Sequence, residues 1–536
     1  MVSATACSQR TRSAVRNSGS RSRSVAVSKQ PNVLFLSTDQ QRADTMACYG
    51  NEDIQTPNLN ALAGQSFVFD NAYVSQPVCT PSRATILTGL YPHTSGCTVN
   101  NVPLPPATRT IAELVPDEYR TGYFGKWHLG DELRPQHGFE EWVSIDDLYR
   151  PYYSDTTDLG TFSDYFYYLI SQGFEPDVKG RETLAKEYGE HDARGRFADE
   201  QPVFSRPYAA QLPERHTKAS FLGRAVERFI HESADGDRPF MLYVNFFEPH
   251  NPFTGPLDDL HPRDKLNTGP AFMQAPWENT SILHRMMADF YKDTMEDGCD
   301  LSTEEGWREI RARYFGLVSL VDRAIGGIMR ALEESGQADD TIVVYTSDHG
   351  EMLGDHAILH KTMMYEESMR VPFLMRVPWL SDEQRHVEGR IGLVDAVPTL
   401  LDLLGQEIPR EIQGESRVPV LEGNSDLSDN DVIVQWNGAD GRPTTAFNTT
   451  IPEHAIQRAS SMPRRAIISH EGMKLHLSPS DQCELYDLNN DPHELRNLYN
   501  DEAYRHTIRD LASRIRLWQE KYKDYTPVLP DEWDSM

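Results

Sequence analysis

The stretch Asn32-Val-Leu-Phe-Leu-Ser37, followed by Thr38-Asp39-Gln40-Gln41, decides the fold. A short run with an uninterrupted apolar centre is typical of a strand that is buried on both faces of a parallel sheet. This run ends abruptly in polar residues. Because ligands bind beyond the carboxyl ends of the strands in such sheets, Asp39 and Gln40 are predicted to face a binding site.

Two later stretches repeat this pattern of an apolar run that stops at polar residues. Phe240 to Phe247 leads into Glu248-Pro249-His250, and Thr341 to Tyr345 leads to Ser347-Asp348-His349. Between them, apolar residues from Tyr314 to Leu332 recur at spacings of three and four, which predicts a helix. Strands that alternate with helices indicate an α/β fold, with a mostly parallel central sheet and helices on both faces.

Changes in composition along the chain predict three regions. Residues 1–30 are rich in Ser and Arg and are predicted to be a disordered tail, whereas residues 31–405 carry the α/β pattern. Within the second region, residues 144–215 break the pattern, which predicts a substrate-shaping insertion. Residues 406–536 are predicted to form a smaller α+β region with a short antiparallel sheet.

Local patterns place three features in the last region. Val432 to Trp436 predicts a strand, residues 465–469 and 473–477 predict a hairpin, and residues 502–523 predict an amphipathic helix.

The composition argues against several classes of protein. The chain has 536 residues, with 52 Lys and Arg against 81 Asp and Glu, so its formal net charge is −29. Nucleic-acid binding needs a basic face and is therefore disfavoured. No apolar run approaches the ~20 residues of a membrane span, and residues 1–30 contain no apolar signal segment. A cytoplasmic location is favoured on these grounds, and a periplasmic or secreted one would follow from a mis-assigned start.

The most informative segment is Cys79-Thr-Pro-Ser-Arg83-Ala-Thr-Ile-Leu-Thr-Gly89. The chain has six cysteines without C-x-x-C spacing, which argues against a zinc knot and a dense disulfide framework but leaves a single disulfide open. Cys79 could be a small buried apolar side chain, or a thiolate whose pKa Arg83 lowers from one helical turn away. Neither interpretation explains the accompanying Pro, Ser and Leu-Thr-Gly.

The pattern C-x-P-S-R-x-x-x-L-T-G resembles the signature of the formylglycine-dependent sulfatase family, of the alkaline-phosphatase-like superfamily. In that family a formylglycine-generating enzyme oxidises the Cys to formylglycine (3-oxoalanine). The resemblance extends over residues 31–525. Many sulfatases have Asp at the position of Gln40, and Asn often stands at that of His349. The further matching segments are Asp39-Gln40, Gly125-Lys126-Trp127-His128-Leu129-Gly130, Pro249-His250-Asn251-Pro252, Ser347-Asp348-His349-Gly350-Glu351, Gly354-Asp355-His356 with Lys361, and Glu484 to Leu488.

The resemblance implies a divalent metal, with calcium expected and manganese or magnesium as alternatives. Its implied ligands are Asp39, Gln40, the modified Cys79, Asp348 and His349. The implied catalytic residues, besides Cys79, are Arg83, Lys126, His128, His250 and Lys361. The implied substrate-binding residues are Lys126, His250 and Lys361. Asn100, in the stretch after the Cys79 segment, is a further candidate substrate-binding residue, and a contact from Asn101 stays open.

The resemblance also implies how these residues act. The hydrated aldehyde presents two hydroxyls: one attacks sulfur, and the second, deprotonated by His128, expels sulfate. Lys126 and Lys361 stabilise the sulfuryl oxygens, Arg83 holds the nucleophile, and His250 or Lys361 protonates the leaving alcohol. An unmodified Ser or Cys lacks the second hydroxyl and would stall as an ester.

The implied function is hydrolysis of sulfate esters on a sulfated small molecule or saccharide, with a carbohydrate expected. One alternative is a phosphonate or phosphate ester hydrolase of the same superfamily. A non-catalytic glycan-binding relative is disfavoured, because it would have lost Cys79 or the lysines. The oligomeric state stays open. The net charge would repel an anionic substrate unless a basic rim from Arg150, Lys179 and Arg181 dominates its approach.

Overall fold

The computed structural model describes residues 30–154, 156–158, 160–177, 202–276, 279–438, 451–530 and 533. The predicted tail over residues 1–30 lies outside them, except for residue 30. The predicted insertion over residues 144–215 is described only in part.

Fifteen strands lie in the described residues. They are β1 Asn32–Thr38, β2 Phe67–Tyr73, β3 Arg120–Gly125, β4 Glu141–Val143, β5 Phe240–Asn245, β6 Met295–Glu296, β7 Cys299–Asp300, β8 Thr341–Ser347, β9 Arg370–Val371, β10 Phe373–Arg376, β11 Arg385–Gly392, β12 Val432–Trp436, β13 Arg464–Ile468, β14 Met473–Leu477 and β15 Glu484–Asp487.

Thirteen α-helices accompany the strands in the same described residues. They are α1 Pro57–Ala63, α2 Cys79–Thr88, α3 Pro92–Ser95, α4 Asp164–Ser171, α5 Arg206–Ala210, α6 Lys218–Ala234, α7 Ile282–Tyr291, α8 Glu304–Glu334, α9 Glu366–Met369, α10 Ala396–Leu403, α11 Val418–Leu421, α12 Glu453–Ser461 and α13 Arg505–Tyr522.

A nine-stranded sheet in the order β11-β2-β10-β8-β1-β5-β3-β4, with β9 paired to β2, forms the centre of the molecule. Every pair from β8 through β1, β5 and β3 to β4 is parallel, whereas β10 runs antiparallel to both β8 and β2. The predicted strands β1, β5 and β8 are adjacent, and β1 lies between the other two. The prediction of a mostly parallel sheet is confirmed.

Side chains of β1 alternate between two cores, one on each face of the sheet. Val33 and Phe35 pack with α2 and α10 on one face. Leu34 and Leu36 pack with α6 and α8 on the other. Because both faces are covered by helices, the centre of the strand, Val33 to Leu36, is apolar, as its sequence indicated.

The carboxyl-terminal region contains the antiparallel sheet β12-β13-β14-β15. Apolar residues of α13, including Ile508, Leu511 and Ile515, pack against this sheet. The predicted strand, hairpin and helix of this region are all present. Helices α11 and α12 were not predicted, because α11 has only four residues and α12 is mostly polar.

No helix in the described residues combines the length and apolar character that crossing a membrane requires. The five cysteines in the same part of the chain are all free thiols, so the disulfide that the sequence left open is not formed among them.

Candidate active site

The carboxyl ends of neighbouring strands bring the predicted acidic residues together. Strands β1 and β8 are parallel and in register from Asn32 opposite Thr341 to Thr38 opposite Ser347. Asp39 and Asp348, the next residue of each strand, are therefore side by side at one edge of the sheet. Lys126 follows β3 at the same edge.

Four buried side chains converge at this edge: Asp39, Cys79, Asp348 and His349. One ligand atom from each lies within 4.8 Å of the others. His349 Nε2 is 3.2 Å from Cys79 Sγ and 3.6 Å from one oxygen of each carboxylate. His349 Nδ1 donates to the Gly350 carbonyl at 3.0 Å, so the unprotonated Nε2 of a neutral ring would point into the cluster. This donor set fits a divalent cation.

Arg83 pairs with the outer carboxylate oxygens of Asp39 and Asp348, which do not point into the cluster. Its guanidinium lies 3.0 Å from Asp39 Oδ2 and 2.9 Å from Asp348 Oδ2. Lys126 Nζ is 2.5 Å from the same Asp39 oxygen. Burial alone would raise the pKa of Asp39, but Lys126, His250 and Arg83 hold that pKa well below its ordinary value. The inner oxygen of Asp39 therefore belongs to an ionised carboxylate and is available.

Cys79 is the first residue of α2 and is only 1% exposed. Burial and the neighbouring Asp39 raise the pKa of its thiol, yet Lys361, Lys126 and His349 outweigh them, so the pKa lies below that of an ordinary cysteine. The helix N-terminus also favours negative charge at this position. An anionic group at residue 79 is therefore stabilised.

His128 is arranged as a neutral base. Its Nε2 donates to Asn101 Oδ1 at 2.7 Å, and its ring stacks on Tyr149 with centroids 4.0 Å apart. Its Nδ1 has no hydrogen-bond partner among the described residues. Burial, then the charges of Lys126 and Arg83, lower the pKa of His128 well below its ordinary value. The free Nδ1 can accept a proton.

A chain of polar contacts leads from His250 to Glu351. His250 Nδ1 donates to the Asn251 carbonyl at 2.8 Å, so its Nε2 accepts from Lys361 Nζ at 3.1 Å. Lys361 Nζ also donates to Gln40 Oε1, and Gln40 Nε2 donates to Glu351 Oε2 at 2.5 Å. Burial, then Lys361, lowers the pKa of His250 well below its ordinary value.

Above these groups lies a cleft of about 290 Å³. Its wall contains no carboxylate among the described residues, although the chain as a whole is acidic. The lining residues are Cys79, Asn100, Asn101, His128, Leu148, Tyr149, Tyr152, Arg206, His250, Asn251, His360 and Lys361.

The family model for sulfatases matches residues 31–406. The chain belongs to the sulfatase family. A sulfatase of this family is a sulfuric ester hydrolase, and the mixed nine-stranded sheet has the alkaline-phosphatase-like fold.

The proteins similar to this sulfatase include a sulfatase and a phosphonate monoester hydrolase. An N-acetylglucosamine-6-O-sulfatase of Bacteroides thetaiotaomicron is 28% identical over 93% of this chain and 88% of its own. The multifunctional alkaline phosphatase superfamily protein PehA of Trinickia caryophylli is 28% identical over 92% and 96%. The solved structure of a phosphonate monoester hydrolase from Silicibacter pomeroyi has a TM-score of 0.72 at 25% identity, over 93% and 96%.

The structure of this sulfatase links nine of the eleven predicted site residues by direct contacts with one another. The tenth, His128, lines the same cleft and contacts Asn101 and Tyr149. Asn100, the eleventh, lines the cleft, but its Oδ1 accepts from the Thr80 backbone N–H at 3.0 Å and so also holds the start of α2. Sequence reasoning missed Tyr149, Tyr152, Arg206, His360 and Glu351 as parts of the site. Tyr149, Tyr152 and Arg206 fall in the predicted insertion, where no spacing marks a side chain that turns inward.

One predicted residue is misplaced. Arg150, expected in a basic rim, is fully buried, lies 3.0 Å from Asp147 and covers the ring of Phe162 at 4.5 Å. It stabilises the fold of the insertion. Lys179 and Arg181, the other two members of that rim, lie outside the described residues.

Proposed function

We propose that this sulfatase hydrolyses sulfate esters of a carbohydrate, using a formylglycine made from Cys79 by a formylglycine-generating enzyme. One observation carries the proposal: Cys79, Asp39, Asp348 and His349 converge beneath a cleft whose described wall is cationic and polar. Such a wall attracts an anionic ester despite the net charge of −29.

Asp39, Asp348 and His349 would hold the metal, together with residue 79 and the carboxamide of Gln40. The oxygen donors support calcium as its identity. The nitrogen of His349 supports manganese as the second candidate. When bound, the metal supplies a Lewis-acidic charge, and the hydrated formylglycine supplies a nucleophilic hydroxyl and the second hydroxyl that lets sulfate leave.

The residues around the cluster would bind and stabilise the sulfuryl group. Lys126 and Lys361 point ammonium groups at the site from β3 and from the loop after β8, and both charges act on Cys79. Arg83 keeps the two carboxylates at a fixed spacing. These charges are buried, so they stabilise negative charge on the sulfuryl oxygens more strongly than surface charges would.

Proton transfer is assigned to two histidines. Lys361 donates to neutral His250, so this pair would deliver a proton to the leaving alcohol. His128, with its free Nδ1, would remove the proton whose loss releases sulfate. Both rings have pKa values well below the ordinary value, so both are neutral at pH 7.

The substrate class is inferred from the outer wall of the cleft. Tyr149, Tyr152 and Asn251 offer ring faces and amide groups, which suit the apolar faces and hydroxyls of a sugar. Tyr149, Tyr152 and Arg206 come from residues 144–215, so we assign substrate shaping to that segment. One relative acts on N-acetylglucosamine 6-O-sulfate by its name, which supports a sulfated sugar.

A phosphonate monoester hydrolase activity is the second candidate. The likeness to the phosphonate monoester hydrolase structure supports it, because the same buried cations would stabilise a phosphoryl group.

The test compares kcat/KM for an aryl sulfate, a panel of sulfated mono- and oligosaccharides and a phosphonate monoester. The protein is co-expressed with a formylglycine-generating enzyme, and Cys79→Ala is the matched control. We expect a sulfated sugar to give the highest kcat/KM and Cys79→Ala to be inactive but folded. A phosphonate preference, or near-native turnover by Cys79→Ala, would contradict the proposal.

A further inference from the structure

Glu351 is a fully buried carboxylate in the loop after β8, three residues beyond Asp348. Its Oε1 accepts hydrogen bonds from the backbone N–H groups of Leu353, at 3.0 Å, and His360. Its Oε2 accepts from Gln40 Nε2 at 2.5 Å. One oxygen therefore anchors the loop, and the other holds a side chain of the candidate metal site.

The carboxamide of Gln40 lies between two groups of opposite hydrogen-bonding character. An ionised carboxylate such as Glu351 can only accept, and an ammonium group such as Lys361 can only donate. With Nε2 toward Glu351 and Oε1 toward Lys361, both contacts are satisfied. A rotation of the amide by half a turn would place oxygen against carboxylate and N–H₂ against ammonium.

We propose that Glu351 is a positioning residue that fixes the orientation of the Gln40 carboxamide, so that its oxygen faces Lys361 and the metal. This role rests on the metal site of the proposed function and does not depend on which ester is cleaved. Side chains that orient metal ligands typically change metal affinity or activity by about 10- to 100-fold when they are removed.

The role follows from Gln at position 40. An aspartate there, as in many sulfatases, has no amide and presents oxygen on both sides. Gln40 has only one oxygen, and its backbone has a left-handed φ of 71° while its N–H donates to Asp348 Oδ1 at 3.0 Å. The backbone of Gln40 is thus held in place, but its side-chain amide could still rotate. We assign to Glu351 the role of preventing that rotation.

The test measures calcium binding to metal-free protein by calorimetry, and the rise in melting temperature that calcium produces. In Glu351→Gln, the oxygen of the new amide still accepts hydrogen bonds from the loop N–H groups, and the N–H₂ group of the new amide faces Gln40. The Gln40 amide then rotates and presents N–H₂ to Lys361 and the metal. We expect calcium affinity to fall by about 10- to 100-fold, with a smaller rise in melting temperature.

The decisive variant is the double exchange Gln40→Glu with Glu351→Gln. It reverses the two partners, so the amide at 351 donates to the carboxylate at 40, which still accepts from Lys361. We expect this double variant to bind calcium at least about 10-fold more tightly than Glu351→Gln, because restoring the orientation of a metal ligand should recover the affinity that its loss removes. Gln40→Glu alone should bind poorly, because two carboxylates would then face each other.

Gln41 provides the matched control. It is equally buried, but its amide forms hydrogen bonds with Thr38, Tyr345 and Thr45 and not with Glu351. Gln41→Glu combined with Glu351→Gln restores the same net charge without restoring the contact. We expect no recovery of calcium affinity in this double variant, which separates orientation from charge.

Two results would overturn the proposal: wild-type calcium affinity in Glu351→Gln, or equal affinity in the two double variants. Should Glu351→Gln not fold, Glu351→Asp retains the charge but is too short to reach both Gln40 and the loop, and it should bind calcium more weakly. Unchanged affinity there would count against the role. Because calcium binding is read directly, a phosphonate preference in the activity assay would leave this test intact.

Discussion

Arg83 contacts both carboxylates of the candidate metal site, and it is only 2% exposed. A lysine at this position has one ammonium group on a flexible stem and cannot hold two carboxylates at once. We expect Arg83→Lys to lower the free energy of unfolding of metal-free protein by up to about 3–5 kcal/mol, because one buried carboxylate would lose its partner.

Urea denaturation in the presence of chelator measures this loss. The matched control is Arg109→Lys, because Arg109 pairs with Glu411 at the surface, where both side chains are at least half exposed. Such a pair contributes about 0–1 kcal/mol. A loss in Arg83→Lys as small as that in the control would mean that Arg83 does not organise the site.

A second prediction at this scale concerns the metal itself. Chelation should abolish turnover, and calcium or manganese should restore it. The metal should also raise the melting temperature, because it binds the folded cluster of Asp39, Asp348 and His349 and not the unfolded chain. Calorimetric scans with and without each ion measure the shift. Full activity in metal-free protein would make these residues purely structural.

Tyr152 allows a direct test of sugar recognition. It lines the cleft and is 39% exposed, whereas Tyr167 on α4 is 49% exposed and does not line it. We expect Tyr152→Ala to lower kcat/KM for a sulfated saccharide by about 10-fold, roughly 1.4 kcal/mol of transition-state binding, and to change turnover of a small aryl sulfate little. Steady-state kinetics measure both effects, with Tyr167→Ala as the control. Equal effects of the two variants would mean that Tyr152 does not contribute to recognition of the saccharide.

At the scale of elements, Asp322 of α8 holds the N-terminus of α1. Its carboxylate accepts from the Leu59 N–H at 2.7 Å and from Asn58 Nδ2 at 2.8 Å. Burial raises the pKa of Asp322 to about 6. Between the pKa of the unfolded chain and pH 6, the folded protein thus binds more protons than the unfolded protein, and its stability falls as pH rises.

We expect this fall to reach up to about 3 kcal/mol between pH 4 and pH 7, and to be absent in Asp322→Asn. The difference in the free energy of unfolding between wild type and Asp322→Asn, measured by denaturation across that range, isolates the contribution. Asp339→Asn, at an exposed position, serves as control. A difference that is constant with pH would show that the Asp322 carboxyl titrates alike in both states.

The elements that the sequence predicted well are those with strong local patterns. Strands β1, β5 and β8 are uninterrupted apolar runs, and Val432–Trp436 is found with the predicted bounds. The helix predicted from Tyr314 to Leu332 in fact spans Glu304–Glu334 and is capped by Thr303. Its first turns mix charged residues with the buried Trp307 and Ile310, which continue the spacing of three and four. The antiparallel direction of β10 could not be predicted, since it depends on pairing with β2 and β8 and not on its own four residues.

At the scale of the whole molecule, the sequence predicted only those residues of the candidate site that lie in a motif. Asp39, Cys79 and Asp348 stand in family segments, so their meeting could be inferred. Tyr149 reaches the site through its contact with His128. Glu351 ends a family segment, but its role depends on a contact with Gln40, 311 residues away in sequence. No local periodicity reports such contacts.

A further prediction concerns the electrostatic field of the whole protein. A net charge of −29 repels a polyanionic saccharide at long range, while the buried cations attract it only at short range. Surface charges are screened over about 8 Å at physiological salt. Moderate salt should therefore raise kcat/KM for a sulfated oligosaccharide and leave kcat for a small aryl sulfate nearly constant. Kinetics across a salt series measure both, and a steep fall in kcat/KM would reveal a local basic surface instead.

The position of β1 in the sheet has a consequence for the timing of biosynthesis. Strand β1 pairs with β5 and β8, so the edge that buries Cys79 is complete only once residue 347 has been made. At roughly 5–20 residues per second, the ribosome takes about 15–50 s to travel from Cys79 to that point. During this interval the nascent segment would be open to the oxidising enzyme of the proposed function, whereas in the folded protein only 1% of Cys79 is exposed. We therefore expect conversion to be decided during synthesis, so that a slow oxidation leaves a folded but permanently inactive fraction.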